Sequence, residues 1–237
     1  MSLTTWLISY YKFDEWSWTT AFDSVGSNDW TLVSSPTWTT TSKLWPYALS
    51  FSWWNHVSLS NLMSFNNNAF SFGCWIRPAT INTRWWIFIK WTGQGNRDLA
   101  IFQDNQDIRV TIYQQWTPTT FAGVRINGVL SVNQWFNISL TYDGSGNRSW
   151  INLRVNNQLH SVTEWVTSIN RYTNNDNARF WADTFWENWN FNWILDEVWI
   201  WNRVLTASEI TELYNSWDWL QYPFTSESSA WFLMRNF

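Results

Sequence analysis

The sequence predicts an all-β protein, a two-sheet antiparallel jelly-roll sandwich with one short C-terminal helix at about 206–215. Three observations carry this expectation. Apolar and polar residues alternate in short runs, most strictly in 70–77 and 135–142. About a dozen such runs occur, with turn residues roughly every 8–12 positions. Only one stretch, ending at Tyr214, has the three- and four-residue apolar spacing of an amphipathic helix.

Taken in order, 7–13 (LISYYKF) reads as the first strand, followed by a loop rich in Asp, Ser and Thr. Residues 36–44 connect to short strands at 47–51 and 56–59. In 70–77, Phe70, Phe72, Cys74 and Ile76 share one face, and Trp75 and Arg77 share the other. Pro78 ends that strand because it cannot donate to the ladder. Strands at 87–90, 98–102 and 107–113 are joined by the turns GQGN (93–96) and DNQ (104–106), and 121–126 is a weaker strand. In 135–142, Phe136, Ile138, Leu140 and Tyr142 line one face, before the hairpin loop DGSGN. Asn156-Asn157 tolerates positive φ and turns 151–155 back into 158–162. Strands at 178–182 and 194–201 complete the sheets.

The helix opens on a capping box, Thr206 to Glu209, in which each side chain satisfies a free backbone N–H. Ile210, Leu213 and Tyr214 form its buried stripe. A glycine at 217 would suit its C-terminal cap. The organisation expected is one domain, 1–217, and a C-terminal tail, 218–237, that needs a partner to order it.

A net charge of -4 with 14% charged residues leaves no basic patch, which argues against nucleic acid as a partner. The lone Cys74 forbids an internal disulfide and reads as a small buried apolar residue. No basic n-region or long apolar run marks a signal peptide or membrane span. A virion or extracellular location would then require an export route that the sequence does not display.

Tryptophan usage is anomalous. There are 25 Trp and 8 Gly, whereas glycine averages about 7% of residues. Many of the tryptophans sit where turn chemistry asks for glycine: Asn28-Asp29-Trp30, Trp16-Ser17-Trp18, Asn188-Trp189, Trp53-Trp54 and Trp217-Asp218-Trp219. Glycine reaches positive φ without steric cost and an indole side chain does not. The expectation is that all but Trp38, Trp75, Trp135 and Trp201 stand for glycine, leaving 25 − 21 = 4 Trp and 8 + 21 = 29 Gly. A UGA codon read as glycine in the organism, and as tryptophan on paper, would produce this pattern. The alternative is a Trp-rich protein whose exposed indoles stack on sugars.

Several stretches resemble laminin G-like jelly rolls of the concanavalin A-like lectin/glucanase superfamily. They are YYKFDEWSWTTAFDSVGSNDWTL and YALSFSWWNHVSL near the N-terminus, then FSFGCWIRP, NQWFNISLTYDG and INLRVNNQLH, and finally FNWILDEVWIWNRVLTASEITELY. The resemblance covers roughly 6–217, and its departures fall at the suspect tryptophans. It implies a concave face with variable rim loops, and a role in binding glycans or proteins, although some members are hydrolases. It also implies a structural calcium ion, held by Asp196 of the closing strand with Asp14 or Glu15 of the first loop. The end of the chain is similar to domains appended to phage virion and bacterial surface proteins.

Hydrolysis by this superfamily needs two carboxyl groups about 5 Å apart facing one cleft. The nearest match is Asp196-Glu197, and adjacent strand residues are expected on opposite faces. His56 and His160 have no nucleophile signature beside them, and too few Cys and His are present for zinc. Candidate ligand-binding residues are Tyr113, Arg125, Arg171, Tyr172, Asn174 and Asp176, which pair aromatic platforms with polar donors. The expected function is a non-enzymatic recognition domain that binds a carbohydrate or surface polymer in a phage virion or cell-surface protein. The alternatives are an assembly module whose partner is a virion or surface protein, and, less favoured, a glycan-cleaving hydrolase.

Overall fold

The computed structural model describes residues 2–52, 55–59, 65, 68–82, 84–91, 97–114, 117–160, 163–164, 178–180 and 192–224. Its strands are β1 (Leu7–Tyr11), β2 (Thr20–Ala21), β3 (Trp30–Val33), β4 (Thr37–Thr39), β5 (Ala48–Ser52) and β6 (His56–Leu59). They continue with β7 (Phe70–Pro78), β8 (Arg84–Trp91), β9 (Arg97–Asp104), β10 (Asp107–Gln114), β11 (Thr117–Ile126) and β12 (Phe136–Tyr142). The last are β13 (Asn152–Val155), β14 (Gln158–Leu159), β15 (Thr163–Glu164), β16 (Ala178–Phe180) and β17 (Asn192–Trp201), before the helix α1 (Ala207–Tyr214).

Among the described residues every strand pairing is antiparallel. One sheet runs β14-β13-β12-β7-β17-β5-β4, with β1 added on β17, and the other runs β15-β11-β10-β9-β8-β16-β6-β3-β2. The alternation seen in the sequence sets which faces meet. Phe70, Phe72, Cys74 and Ile76 of β7 and Phe136, Ile138, Leu140 and Tyr142 of β12 join Leu99, Ile101, Val110, Ile112 and Val124 of the opposite sheet in one core. Register fixes the pairing inside that core: Leu140 lies opposite Phe72 on one side and Leu153 on the other. Burying a side chain of this size contributes about 1.5–3 kcal/mol.

The other face of β7 and β17 carries a second core. Trp75, Trp199 and Trp201 pack there against Leu205, Ile210, Leu213 and Tyr214. The helix is held at its start by the capping box: Glu209 N–H donates to Thr206 Oγ1 at 3.2 Å, and Thr206 N–H donates to Glu209 Oε2 at 2.8 Å. Asn215 ends it in the left-handed region at φ 40, at the end expected near 215 and ahead of the position, 217, that a glycine would suit. Asn156 and Asn157 take φ values of 52 and 61, as the hairpin requires.

Residues 218–224, at the start of the expected tail, pack on this second core. Leu220 N–H donates to the Leu213 carbonyl at 3.0 Å. The Phe224 ring stacks on Trp201 and meets Tyr10 edge-on. Among the described residues no helix is long and apolar enough to cross a membrane.

Candidate functional site

Four neighbouring strands, β8 to β11, present a second face away from the main core. Ile108, Val110 and Ile112 of β10 point inward, so Asp107, Arg109, Thr111 and Tyr113 point outward. By the same alternation β9 contributes Ala100, Phe102 and Asp104, and β11 contributes Phe121, Gly123 and Arg125. Arg109 is the cross-strand partner of both Phe102 and Arg125. The result is an array of aromatic, guanidinium and carboxylate groups on adjoining rungs.

The polar part is a ladder. Asp104 Oδ2 takes Arg84 Nη2 at 3.1 Å and Arg109 Nη2 at 2.5 Å. Arg125 pairs with Asp107, whose other oxygen accepts the Gly128 N–H at 2.8 Å. The Arg84 and Arg109 guanidiniums lie over the Phe102 ring at 5.7 and 6.0 Å. Burial pulls the Arg109 pKa down; the positive fields of Arg125 and Arg84 add to that, and Asp104 and Asp107 oppose it.

The apolar part lies further along the strands. Ile89, Ala100, Phe102 and Tyr113 form a cluster with Trp86 and Phe121, and the Tyr113 and Phe121 rings sit 5.6 Å apart. Between the two parts, the buried Thr111 Oγ1 has no hydrogen-bond partner among the described residues. An orphaned buried hydroxyl costs about 1–3 kcal/mol unless water or a ligand satisfies it. The face therefore grades from a charged end, where the Arg84 and Arg125 side chains are 49% and 28% exposed, to a buried aromatic floor.

Of the sequence-predicted ligand residues, Tyr113 and Arg125 share this face on adjacent strands. Arg171, Tyr172, Asn174 and Asp176 lie outside the described residues. Sequence reading missed Phe102, Arg109 and Thr111. Their signal was present as the outward half of an alternation whose inward half is Ile101, Val110 and Ile112.

The carboxylates of the closing strand behave differently from expectation. Leu195 and Val198 both reach the main core, so the two residues between them form a bulge, with Glu197 at φ 50. Asp196 and Glu197 therefore do not take opposite faces; both turn toward the second core. Asp196 Oδ2 accepts the Lys43 and Leu44 N–H groups at 2.8 and 3.1 Å. Glu197 accepts from the Tyr10 hydroxyl and from Gln221 Nε2. Burial, and then the charge of Glu197, pushes the Asp196 pKa up; burial likewise raises Glu197 to about 8. Both residues are fully buried and bonded within the fold.

For the expected cation, Asp196 Oδ1 is buried without a hydrogen-bond partner among the described residues. The charge of Asp14 raises the Asp196 pKa further. Asp14 Oδ1 accepts from Tyr47 N–H at 3.4 Å, and Glu15 Oε1 is turned to Phe22 N–H at 2.8 Å. Among the described residues no group of three or more His, Cys, Asp or Glu side chains gathers as a metal cluster.

No curated protein matches the sequence. Solved structures do match in fold. The binding domain of botulinum neurotoxin serotype D gives a TM-score of 0.70 at 14% identity, over 91% of this chain and 53% of that one. A structure of botulinum neurotoxin type C, whose cell entry depends on interaction with two ganglioside molecules, gives 0.67 at 15%, over 92% and 53%. The binding domain of botulinum neurotoxin DC in complex with rat synaptotagmin II gives 0.70 at 16%, over 93% and 53%. The chain thus spans about half the length of these toxin structures, and at such identities the likeness is one of fold, a jelly roll. A family model matches residues 53–211, two thirds of the sequence, and by that match the chain belongs to the concanavalin A-like lectin/glucanases superfamily.

Proposed function

We propose that this protein is a non-enzymatic recognition domain that binds a carbohydrate or surface polymer, as part of a phage virion or a cell-surface structure. The ligand lies on the outward face of β8 to β11, with Phe102 and Tyr113 as apolar platforms. Arg109, Arg125 and Thr111 supply donors, and Asp104 and Asp107 accept sugar hydroxyls. The observation that carries this reading is the orphaned Thr111 hydroxyl, set between an aromatic floor and an ion-pair ladder. A sugar ring presents an apolar face and a polar rim to such a surface. Membership of a lectin-like superfamily supports it, as does likeness to toxin structures that engage gangliosides or synaptotagmin. The buried, internally bonded state of Asp196 and Glu197 supports binding without cleavage.

A glycan array probed with the parent protein, Thr111→Val and Arg125→Ala tests the site. Thr111→Val keeps the shape of the side chain and removes the hydroxyl, so stability stays level or rises while affinity falls by about 2- to 10-fold, the worth of one hydrogen bond. Clean negatives for the parent protein, with and without calcium, would refute carbohydrate recognition and favour an assembly module with a protein partner. A structural calcium ion belongs to the same reading. Asp196 and Asp14 would supply two carboxylates, and backbone carbonyls or water the remaining oxygens.

A further inference from the structure

We infer that 21 of the 25 tryptophans, all but Trp38, Trp75, Trp135 and Trp201, are glycines in the protein its organism makes, read from UGA codons, and that glycine at 86 uncovers Phe102 on the ligand face. The second half rests on the face proposed above; the first stands without it.

Backbone, exposure and packing each set some of the suspect indoles apart from the four retained. Trp6, Trp16 and Trp219 sit at φ 61, 53 and 38, in the left-handed region. A Cβ is costly there and glycine enters freely. None of the four retained tryptophans has a positive φ among the described residues. Trp6, Trp16, Trp18, Trp45 and Trp150 are each more than half exposed. Of the retained four, Trp75 and Trp201 are fully buried, and Trp38 and Trp135 are half-buried.

Where suspect indoles are buried, they crowd their neighbours. The Trp30 and Tyr11 ring centroids lie 3.6 Å apart, inside the roughly 4.5–7 Å at which aromatic pairs settle. Trp199 lies across the β17–β7 rung from Gly73, where a Cβ on residue 73 would collide with its ring. Two of the retained indoles hold backbone carbonyls: Trp201 Nε1 donates to the Leu3 carbonyl at 2.7 Å, and Trp38 Nε1 to the Trp18 carbonyl at 3.0 Å. A glycine at 199 gives a Gly-Gly rung and leaves Trp75 and Trp201 as the indoles of that face.

Position 86 joins this to function. Strand β8 shifts register between Trp86 and Phe88, and glycine is common at such bulges. The Trp86 ring packs on Phe102 at 4.9 Å. With glycine there, one side of the Phe102 ring is freed between Arg84 and Arg109. The exposed tryptophans, which would otherwise look like sugar platforms, disappear, and the platform becomes Phe102, Tyr113 and Phe121.

The test is the gene and the native protein. The 21 codons are expected to be UGA and the other four UGG. The intact mass of protein from its own source is expected well below the 28.4 kDa of the tryptophan chain, with near-ultraviolet absorbance reduced several-fold. UGG at the 21 positions, or a mass of 28.4 kDa, overturns the inference. The 21-glycine chain is then made from a synthetic gene and compared with its Phe102→Ala variant on the glycan array. A loss of tenfold or more in the variant supports Phe102 as the platform. Equal binding by the two removes Phe102 from the site, and the codon result stands apart from it.

Discussion

Replacing Glu209 by glutamine isolates one charged clasp at the start of α1. Arg203 donates through Nη1 and Nη2 to the two Glu209 oxygens at 3.0 and 2.8 Å, and through Nε to the Thr5 carbonyl at 3.0 Å. One residue therefore ties the helix to the N-terminal segment. The Arg203 hydrogen bonds lead the causes that hold the Glu209 carboxyl at about 2, against burial, which acts upward; its ordinary value is 4.5. A depressed acid stabilises the fold above its unfolded pKa, and that contribution is lost as pH falls through the folded value. Holding the carboxyl at about 2 rather than 4.5 sets a ceiling of about 3 kcal/mol. The two side chains keep 13% and 10% exposure, and screening lowers the expected effect to about 1–2 kcal/mol. Glutamine preserves shape and a cap acceptor while removing the charge. Urea denaturation near pH 7 should find Glu209→Gln about 1–2 kcal/mol less stable than the parent, with the gap closing as the pH nears 2. A gap that stays constant over that range would refute the electrostatic account and leave only the shape of the cap.

Three other outcomes are expected. Leu140→Ala, at a fully buried position between Phe72 and Leu153, should cost about 2–5 kcal/mol by denaturant titration. Gly144 has φ 80, and an added Cβ would lie 2.8 Å from the Asn68 carbonyl carbon. Gly144→Ala should therefore cost more than the roughly 1–2 kcal/mol that left-handed backbone alone costs an L-residue, measured by denaturant titration. If calcium binds at Asp196, a chelator should lower the melting temperature of the parent and leave Asp196→Asn unmoved; no shift in the parent would sink the cation.

The frame of the fold was legible because it rests on local rules. Strict alternation in β7 and β12 put Phe72, Ile76, Ile138 and Leu140 in the core, and the capping box fixed where α1 starts. What stayed hidden depended on a break in periodicity or on cross-strand register. The bulge at 196–197 needs only one extra residue in β17, yet it reverses the face of every position after it. Sequence reading treated Asp196 and Glu197 as a continuous strand and so set them on opposite faces. Register hid the ligand face too. Arg109, Phe102 and Arg125 are scattered in sequence and become neighbours only when β9, β10 and β11 align. Tyr113 and Arg125 stood out as aromatic and basic residues near strand ends, whereas Thr111 carried no mark before its hydroxyl was found buried and unpaired.

The charge of that face constrains what it can hold. Among the described residues it carries Arg84, Arg109 and Arg125 against Asp104 and Asp107, which is 3 − 2 = +1. Each guanidinium is already engaged with a carboxylate, and Asp104 serves two of them. A strongly anionic polymer would have to displace Asp104 or Asp107, leaving a partly buried carboxylate unpaired, and that is expensive. A neutral sugar needs no such exchange, because its hydroxyls can bridge donor and acceptor along the existing ladder. Binding should therefore depend weakly on salt. The dissociation constant of a glycan hit should change by no more than about twofold on going from low to moderate ionic strength, since a paired, partly buried ladder is little screened. A steep loss of affinity with salt, measured by calorimetry on the same glycan, would mean that free positive charge drives binding and that the ladder opens for an anionic ligand.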